Sequence, residues 1–318
     1  MLTSDEVHRG FRLILKRNPE KSNVVEHFQK LSDFDELISV LVASEEFRAR
    51  YTCSFPTEKW GMFQISGTSD FIYVDLSDDY VSRGCLFSNY EYNESRFVRA
   101  IVMPNETVLD IGANIGWFTI MMARLVGDNG SVHAFEPRPT TFEHLGKSIA
   151  ASKLTKNVTL YQKALSDTHG DAFITWRPND RNPGNSWVSS QINDPAIKQD
   201  KISMVRLDDL SIGPVSFIKI DVEGAEPSVF RGGEKLIARD KPVILSEINF
   251  GQLRSMSGMS WSDYRSFLDG IGYDAFYLVD GKGAVSVSEA EDRGIDVISI
   301  GMWSSDRKMH LKPQDIWG

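Results

Sequence analysis

Thr107–Gly116 reads TVLDIGANIG. Its first half is a short apolar run, and beyond Gly116 the residues Phe118, Met121, Met122 and Leu125 recur at helical spacing. A strand therefore passes through a glycine-bearing turn into a helix over Gly116–Val126. Glycines in such a turn let the backbone approach a ligand, and the helix start offers unpaired N–H groups to an anion. Asp110, Gly112, Asn114 and Gly116 fall at alternate positions of this turn and are candidate cofactor-binding residues. Their spacing is not the G-x-G-x-x-G of the dinucleotide-binding turn.

Downstream the same grammar repeats. Ser131–Pro137 (SVHAFEP) predicts a second strand, Thr140–Lys153 a second helix and Val158–Asp167 (VTLYQKALSD) a third strand. Strand alternating with helix implies a parallel sheet covered on both faces. Asp171–Trp176 (DAFITW) and Ile202–Asp208 (ISMVRLD) have no helix between them and predict an antiparallel excursion carrying a long loop. The alternation resumes with Phe217–Val222 (FIKIDV), a helix over Glu226–Ala238, the strand Pro242–Ile248 and a helix over Trp261–Ile271. Strands near Tyr273–Val279 and Asp296–Met302 complete a seven-stranded, mostly parallel α/β sheet with helices on both faces.

Upstream, Val7, Phe11, Ile14 and Leu15, then Phe34, Leu37, Ile38, Leu41 and Val42, are spaced as on helices, with Pro19 in a turn and a further helical turn from Ser44 to Phe47. Residues 1–54 are expected to form a small helical unit, 55–103 a connecting segment and 104–318 the α/β domain. The chain of 318 residues is 41% hydrophobic, enough for a sizeable core, and its net charge of −9 argues against a nucleic-acid partner. Cys53 and Cys85 make neither a disulfide framework nor a zinc site, and two such thiols suit a reducing, cytoplasmic setting. No signal peptide or transmembrane segment is read.

Glu136 ends the second strand, where a carboxylate can accept hydrogen bonds from ribose hydroxyls. At the end of the third, Ala164 and Leu165 could wall an adenine ring, with Ser166 or Asp167 at its edge. Asp221 closes an apolar strand at the sheet's carboxyl edge, where open α/β sheets bind ligands. Glu247 ends the next strand in the same way, so the two carboxylates should be neighbours across the cleft. They could hold a divalent cation such as Mg²⁺ or bind acceptor hydroxyls without metal; the metal stays unassigned. Glu223 and Glu226 read either as further acidic groups of the site or as residues favoured by a helix dipole. The loop Asn182–Ser190 could close over the cleft, with Trp187 stacking on a sugar face. None of the six histidines sits where an acceptor should bind, and no G-x-S-x-G elbow is present.

Taken together, Val108–Gly116 (VLDIGANIG), Phe135–Pro137 (FEP), Ala164–Asp167 (ALSD), Val205–Leu210 (VRLDDL), Phe217–Glu226 (FIKIDVEGAE), Arg231–Gly233 (RGG) and Pro242–Glu247 resemble the FkbM family of methyltransferases. The resemblance covers about residues 85–250. It implies a Rossmann-like class I methyltransferase fold, which the late pairing of strand with strand also fits better than the dinucleotide-binding variant. It further implies S-adenosylmethionine as cofactor and a hydroxyl acceptor on a sugar, glycan or polyketide-like molecule. The methionine carboxylate would then meet the helix start, and Asp110 its ammonium group. Methyl transfer would be a direct displacement, with Asp221 first, Glu247 second and Glu223 also in place to accept or orient the hydroxyl proton. A scaffold that binds the cofactor without catalysis and a nicotinamide-dependent oxidoreductase are the rival readings. The stretch FRLILKRNP…SEEFR resembles a small helical domain attached to some bacterial glycan-related enzymes.

Overall fold

A computed structural model describes residues 2–31, 33–44, 46, 60–78, 80–86, 90–177, 186–279 and 297–305. Contacts divide the chain into Met1–Lys59 and Trp60–Gly318. Among the described residues no helix is long and apolar enough to cross a membrane.

In the first unit, helices α1 (Ser4–Ile14), α2 (Ser22–Phe28) and α3 (Phe34–Ala43) follow one another. A reciprocal cap opens α1: Thr3 Oγ1 accepts from the Glu6 amide, and Glu6 Oε2 accepts from the Thr3 amide at 2.7 Å. Val7, Phe11 and Ile14 form its buried stripe against Leu37 and Leu41 of α3. Gly10 lets the two helices close up, since a Cβ there would stand 2.7 Å from Leu37 Cδ2.

The second unit starts with an antiparallel hairpin, β1 (Trp60–Gln64) and β2 (Phe71–Asp75), followed by α4 (Val81–Leu86) and α5 (Tyr92–Ile101). The core then runs β3 (Thr107–Ile111), α6 (Trp117–Val126), β4 (Ser131–Phe135), α7 (Pro139–Ala151) and β5 (Val158–Tyr161). The hairpin is fastened to α7 through two serines one turn apart. Ser148 Oγ accepts from the Tyr73 amide, while Ser152 Oγ accepts from the Phe71 amide and donates to the Phe71 carbonyl, each at 2.9 Å.

The predicted third strand ends early. It stops at Tyr161, and Ala164–Leu165 (β6) belongs to a second sheet with β7 (Gly170–Trp176), β8 (Trp187–Ser189) and β9 (Lys198–Val205), in the order β6-β9-β7-β8. After β10 (Phe217–Ile220) the single helix read over 226–238 is two, α8 (Glu226–Gly232) and α9 (Glu234–Asp240). Gly232 and Gly233 stand at the break, where only glycine fits: a Cβ would stand 2.0 Å from the Ser166 carbonyl oxygen at the first and 2.8 Å from Leu207 Cδ2 at the second. The Asp208 carboxylate then caps α9, accepting from the amides of Lys235 at 3.2 Å and Leu236 at 2.9 Å. β11 (Val243–Asn249) is followed by α10 (Phe250–Ser257), a helix the periodicity missed and Asn249 caps. The described chain closes with α11 (Trp261–Gly270), β12 (Ala275–Leu278) and β13 (Val297–Trp303).

The main sheet has seven strands in the order β12-β13-β11-β10-β3-β4-β5. Neighbours from β11 to β5 are parallel, and β13 lies antiparallel between β11 and β12. This is the Rossmann-like class I methyltransferase topology. Alternation along the strands sends Val108, Phe217, Val243 and Leu245 into one core and Leu109, Ile218, Ile220 and Ile244 into the other.

Candidate functional site

The carboxyl ends of β3, β4 and β10 open on a cleft of about 720 Å³, counted out to open solvent. Gly112 turns the chain there with φ +82°, and its amide and that of Ala113 donate to the Phe135 carbonyl at 3.0 and 2.9 Å. A Cβ at Gly112 would stand 1.9 Å from the carbonyl oxygen of Asp221. The neighbouring turn of the protein itself therefore requires this glycine. Asn114 follows at φ +49°, a conformation asparagine tolerates, and its amide donates to Glu136 Oε2 at 3.0 Å. Glu136 Oε1 accepts from the Arg138 amide at 2.9 Å. Burial pushes the Glu136 carboxyl up to about 7 even though both amides favour its charge.

Opposite stands an apolar wall: Ala164 and Leu165 of β6, Ile174 of β7 and Val188 of β8, with Lys163 and Ser186 beside them. Two expectations need correcting here. Ser166 and Asp167 do not line the cleft, because the Ser166 amide donates to the Val205 carbonyl at 3.0 Å and its hydroxyl donates to Asp167 Oδ1 at 3.2 Å. Trp187 does not line it either. Alternation along β8 gives Ser186 and Val188 to the cleft and leaves Trp187 against the Arg177 guanidinium, 5.5 Å from the ring centre. Residues 182–185 of the expected closing loop lie outside the described residues, as do Cys53 and His310.

Asp110 and Gly116 also stand off the cleft. Gly116 starts α6 at φ +101°, and a Cβ would stand 2.7 Å from Leu145 Cδ1 of α7, so its task is helix packing. Asp110 points into the core by strand alternation. One oxygen accepts from Thr119 Oγ1; the other, Oδ1, is buried without a hydrogen-bond partner. Burial raises the Asp110 carboxyl, with Lys219 opposing.

Lys219 is the residue the sequence reading passed over. It is register partner to Asp110 on the same sheet face, only 4% exposed, with Nζ 3.1 Å from Asp221 Oδ2 and 5.1 Å from the Phe118 ring centre. Burial opposes its charge, but Asp221, Glu91, Asp110 and Glu247 together outweigh burial and hold its pKa above the ordinary lysine value. Asp221 continues the alternation of Phe217 and Lys219, and Glu247 that of Val243 and Leu245, so all these side chains gather on one face of the sheet. Glu91, at the start of α5, covers them from a segment whose sequence carried no signal. One oxygen each of Glu91, Asp221 and Glu247 lies within 4.8 Å of the others. Oxygens this close suit a cation, and the Lys219 ammonium reaches the Asp221 member of the set. Burial, then Lys219 in opposition, leaves Glu91 at about 7; burial, then Asp221 and Glu91, lifts Glu247 well above the carboxylate range.

The turn after β10 is held from below. Glu226 Oε1 accepts from the amides of Val222 at 3.2 Å and Gly224 at 3.3 Å, clipping a turn in which Glu223 has φ +52° and Gly224 φ +91°. A Cβ at Gly224 would stand 2.4 Å from the Gln252 carbonyl carbon, so α10 backs the turn closely. The helix begins only at Glu226, and Glu223 instead lines the cleft beside Asp221. Burial, with Asp221 and Glu226 nearby, pushes Glu223 up to about 8.

Residues 110–275, just over half of the chain, match the family model described as Methyltransferase FkbM domain. The methyltransferase sdnD of Sordaria araneosa is 28% identical over 160 residues, covering 40% of this chain and 60% of that protein. The 31-O-demethyl-FK506 methyltransferase FkbM of Streptomyces tacrolimicus is 30% identical over 160 residues, covering 41% and 60%. The chain thus spans less than two thirds of the length of these curated relatives. A solved methyltransferase FkbM from Methylobacillus flagellatus KT aligns with a TM-score of 0.40 and 17% identity over 71% of this chain and 55% of that one.

Proposed function

From a chain that belongs to the FkbM methyltransferase family, we propose an enzyme that transfers the methyl group of S-adenosylmethionine to a hydroxyl oxygen of a small molecule or glycan. The observation that carries this is the meeting of the Gly112 turn, Glu136 and Asp221 in one cleft at the carboxyl edge of a parallel sheet. Glu136 keeps acceptor capacity beyond its two amide bonds and suits the ribose hydroxyls. Ala164, Leu165, Ile174 and Val188 give a flat purine an apolar wall, and the Gly112 turn leaves room for the amino-acid end beside Asp221.

S-adenosylmethionine, when bound, supplies a methyl group on a sulfonium, which a hydroxyl oxygen displaces as the C–S electron pair returns to sulfur. The protein's work is to hold the acceptor in line and receive its proton. Asp221 is first placed for that, at the cleft and fixed by Lys219, with Glu247 behind it and Glu223 beside it. Positioned acid–base help of this kind is typically worth about 10²–10⁴-fold. An oxygen acceptor is supported by this surplus of carboxylates, which accept a hydroxyl proton, and agrees with the 31-O-demethyl-FK506 named for one relative. Glu91, Asp221 and Glu247 are the residues that would hold a divalent cation, and the metal stays unassigned.

Calorimetric titration with S-adenosylhomocysteine and with NAD tests the cofactor: the first should bind and the second should not, and the reverse overturns the reading. Methyl-labelled S-adenosylmethionine offered with a panel of polyhydroxylated acceptors tests the chemistry. Label in a methyl ether is expected; label on nitrogen or carbon overturns the oxygen assignment, and no transfer to any acceptor favours the scaffold.

A further inference from the structure

A second cavity, sharing no residue with the cleft, lies between α5, α6 and the β1–β2 turn and measures about 510 Å³ counted out to open solvent. Its floor follows from the spacing of α6. Trp117, Ile120, Met121, Arg124 and Leu125 recur at three- and four-residue intervals, so they share one side of the helix, and all five line the cavity. A solvated side would be polar. Here Arg124 is the one charged residue of α6, and Met121 and Leu125 stay half-buried. The Trp117 ring is held in place, its indole N–H donating to Ser95 Oγ at 3.0 Å. Ile65 of the hairpin adds a further apolar side chain.

Two guanidinium groups stand at this apolar floor, Arg99 of α5 and Arg124. Arg124 is fixed: Nε donates to Asp70 Oδ1 at 2.9 Å, while Nη2 donates to the same oxygen and, at 2.7 Å, to the Ser152 carbonyl. The Asp70 carboxylate, only 6% exposed, offsets that charge, and Nη1 keeps its own donors. Asp128 also acts on Arg124 but does not line the cavity. Arg99 is exposed and has neither an ion pair nor a side-chain hydrogen bond among the described residues. Two arginines against one aspartate leave the lining with a single positive charge beside an apolar surface.

We propose that this cavity binds a small organic monocarboxylate, its carboxylate on the Arg99 and Arg124 guanidinium groups and its apolar body over Trp117, Ile120, Met121 and Leu125. Charge-assisted bonds to guanidinium are the stronger class, and a buried Asp70 holds one of the two donors in position beforehand. One uncompensated charge matches a monoanion, and the volume falls in the range of small-molecule sites. The proposal does not depend on how the cleft is read.

Octanoate below its micellar concentration, 1-octanol and acetate are titrated by calorimetry into the full chain, alone and with S-adenosylhomocysteine added. Octanoate should bind at least about tenfold more tightly than the alcohol, which lacks the charge, and than acetate, which lacks the body. Arg99→Gln, a change at an exposed residue, should bring octanoate down to the level of the alcohol, and Met121→Trp should weaken octanoate by filling the floor. In protein carrying isotope-labelled methionine methyl groups, the Met121 signal, identified by its loss in Met121→Leu, should shift on addition of octanoate. Equal binding of octanoate and 1-octanol overturns the proposal, as do no binding of octanoate, its displacement by S-adenosylhomocysteine, or an affinity unchanged in both variants. Should Met121→Trp fail to fold, Arg99→Gln decides alone.

Discussion

The two ends of the cleft are built by different means. At the end proposed for the cofactor, backbone does the work: amides of Gly112 and Ala113 meet the Phe135 carbonyl, and amides of Asn114 and Arg138 meet Glu136. At the end proposed for the acceptor, Asp221 lines the cleft with Glu91, Lys219 and Glu247 gathered around it, side chains from three stretches of chain with charge facing charge. Backbone fixes a shape, and a shape can be filled by one ligand class in many proteins. Side-chain charges set a protonation state, and that state decides what the filled site can do. The ends touch where the Gly112 turn abuts the Asp221 carbonyl.

Breaking that touch should have the largest effect. Gly112→Ala puts a Cβ into the Asp221 carbonyl at a left-handed φ, and should cost about 2–5 kcal/mol in chemical denaturation. A loss below about 1 kcal/mol would mean that the two turns move apart freely. Asp221→Asn removes charge at the acceptor end alone. Lys219 keeps Glu91, Asp110 and Glu247, so the fold and S-adenosylhomocysteine affinity should survive while methyl transfer falls by about 10²-fold or more. Normal turnover with an acceptor found in the labelling survey moves the role to Glu247.

Glu136→Ala does the converse at the cofactor end. It should weaken S-adenosylhomocysteine binding by about tenfold, the scale of one or two hydrogen bonds, and should also lower thermal stability because the amides of Asn114 and Arg138 lose their acceptor. Unchanged affinity removes the ribose assignment. The smallest effect concerns pH. Burial raises Glu91, Glu136 and Glu226 to about 7 and Glu223 to about 8, from an ordinary 4.5. Between about pH 5 and 8 the folded chain binds more protons than the unfolded one, so stability falls as pH rises. The ligand-free midpoint of thermal unfolding should therefore drop as pH rises over that window. A midpoint that climbs with pH contradicts the carboxyl burial at both ends.

The difference between the ends also explains what the sequence disclosed. Gly112, Asn114 and Glu136 were legible because a strand, a tight turn and a helix are local, and their residues follow one another. Ala164 and Leu165 were legible as a wall, yet the second sheet that completes it with Ile174 and Val188 was visible only as an unexplained excursion. Ser166 and Asp167 stand off the cleft lining in bonds to Val205 and to each other, and Trp187 stands off it because alternation along β8 turns it away. Asp221 and Glu247 showed as carboxylates ending apolar strands. Lys219 could have been found by the same parity, two residues before Asp221. Glu91 could not, because only tertiary packing brings the start of α5 over the sheet.

Ser148 and Ser152, which fasten the hairpin to α7, bear on a hazard apart from catalysis. Among the described residues strand β2 pairs with β1 alone, and its other side has amides and carbonyls that a passing strand could meet. The two hydroxyls occupy that edge at Phe71 and Tyr73, so a helix guards the hairpin against self-association without adding a strand.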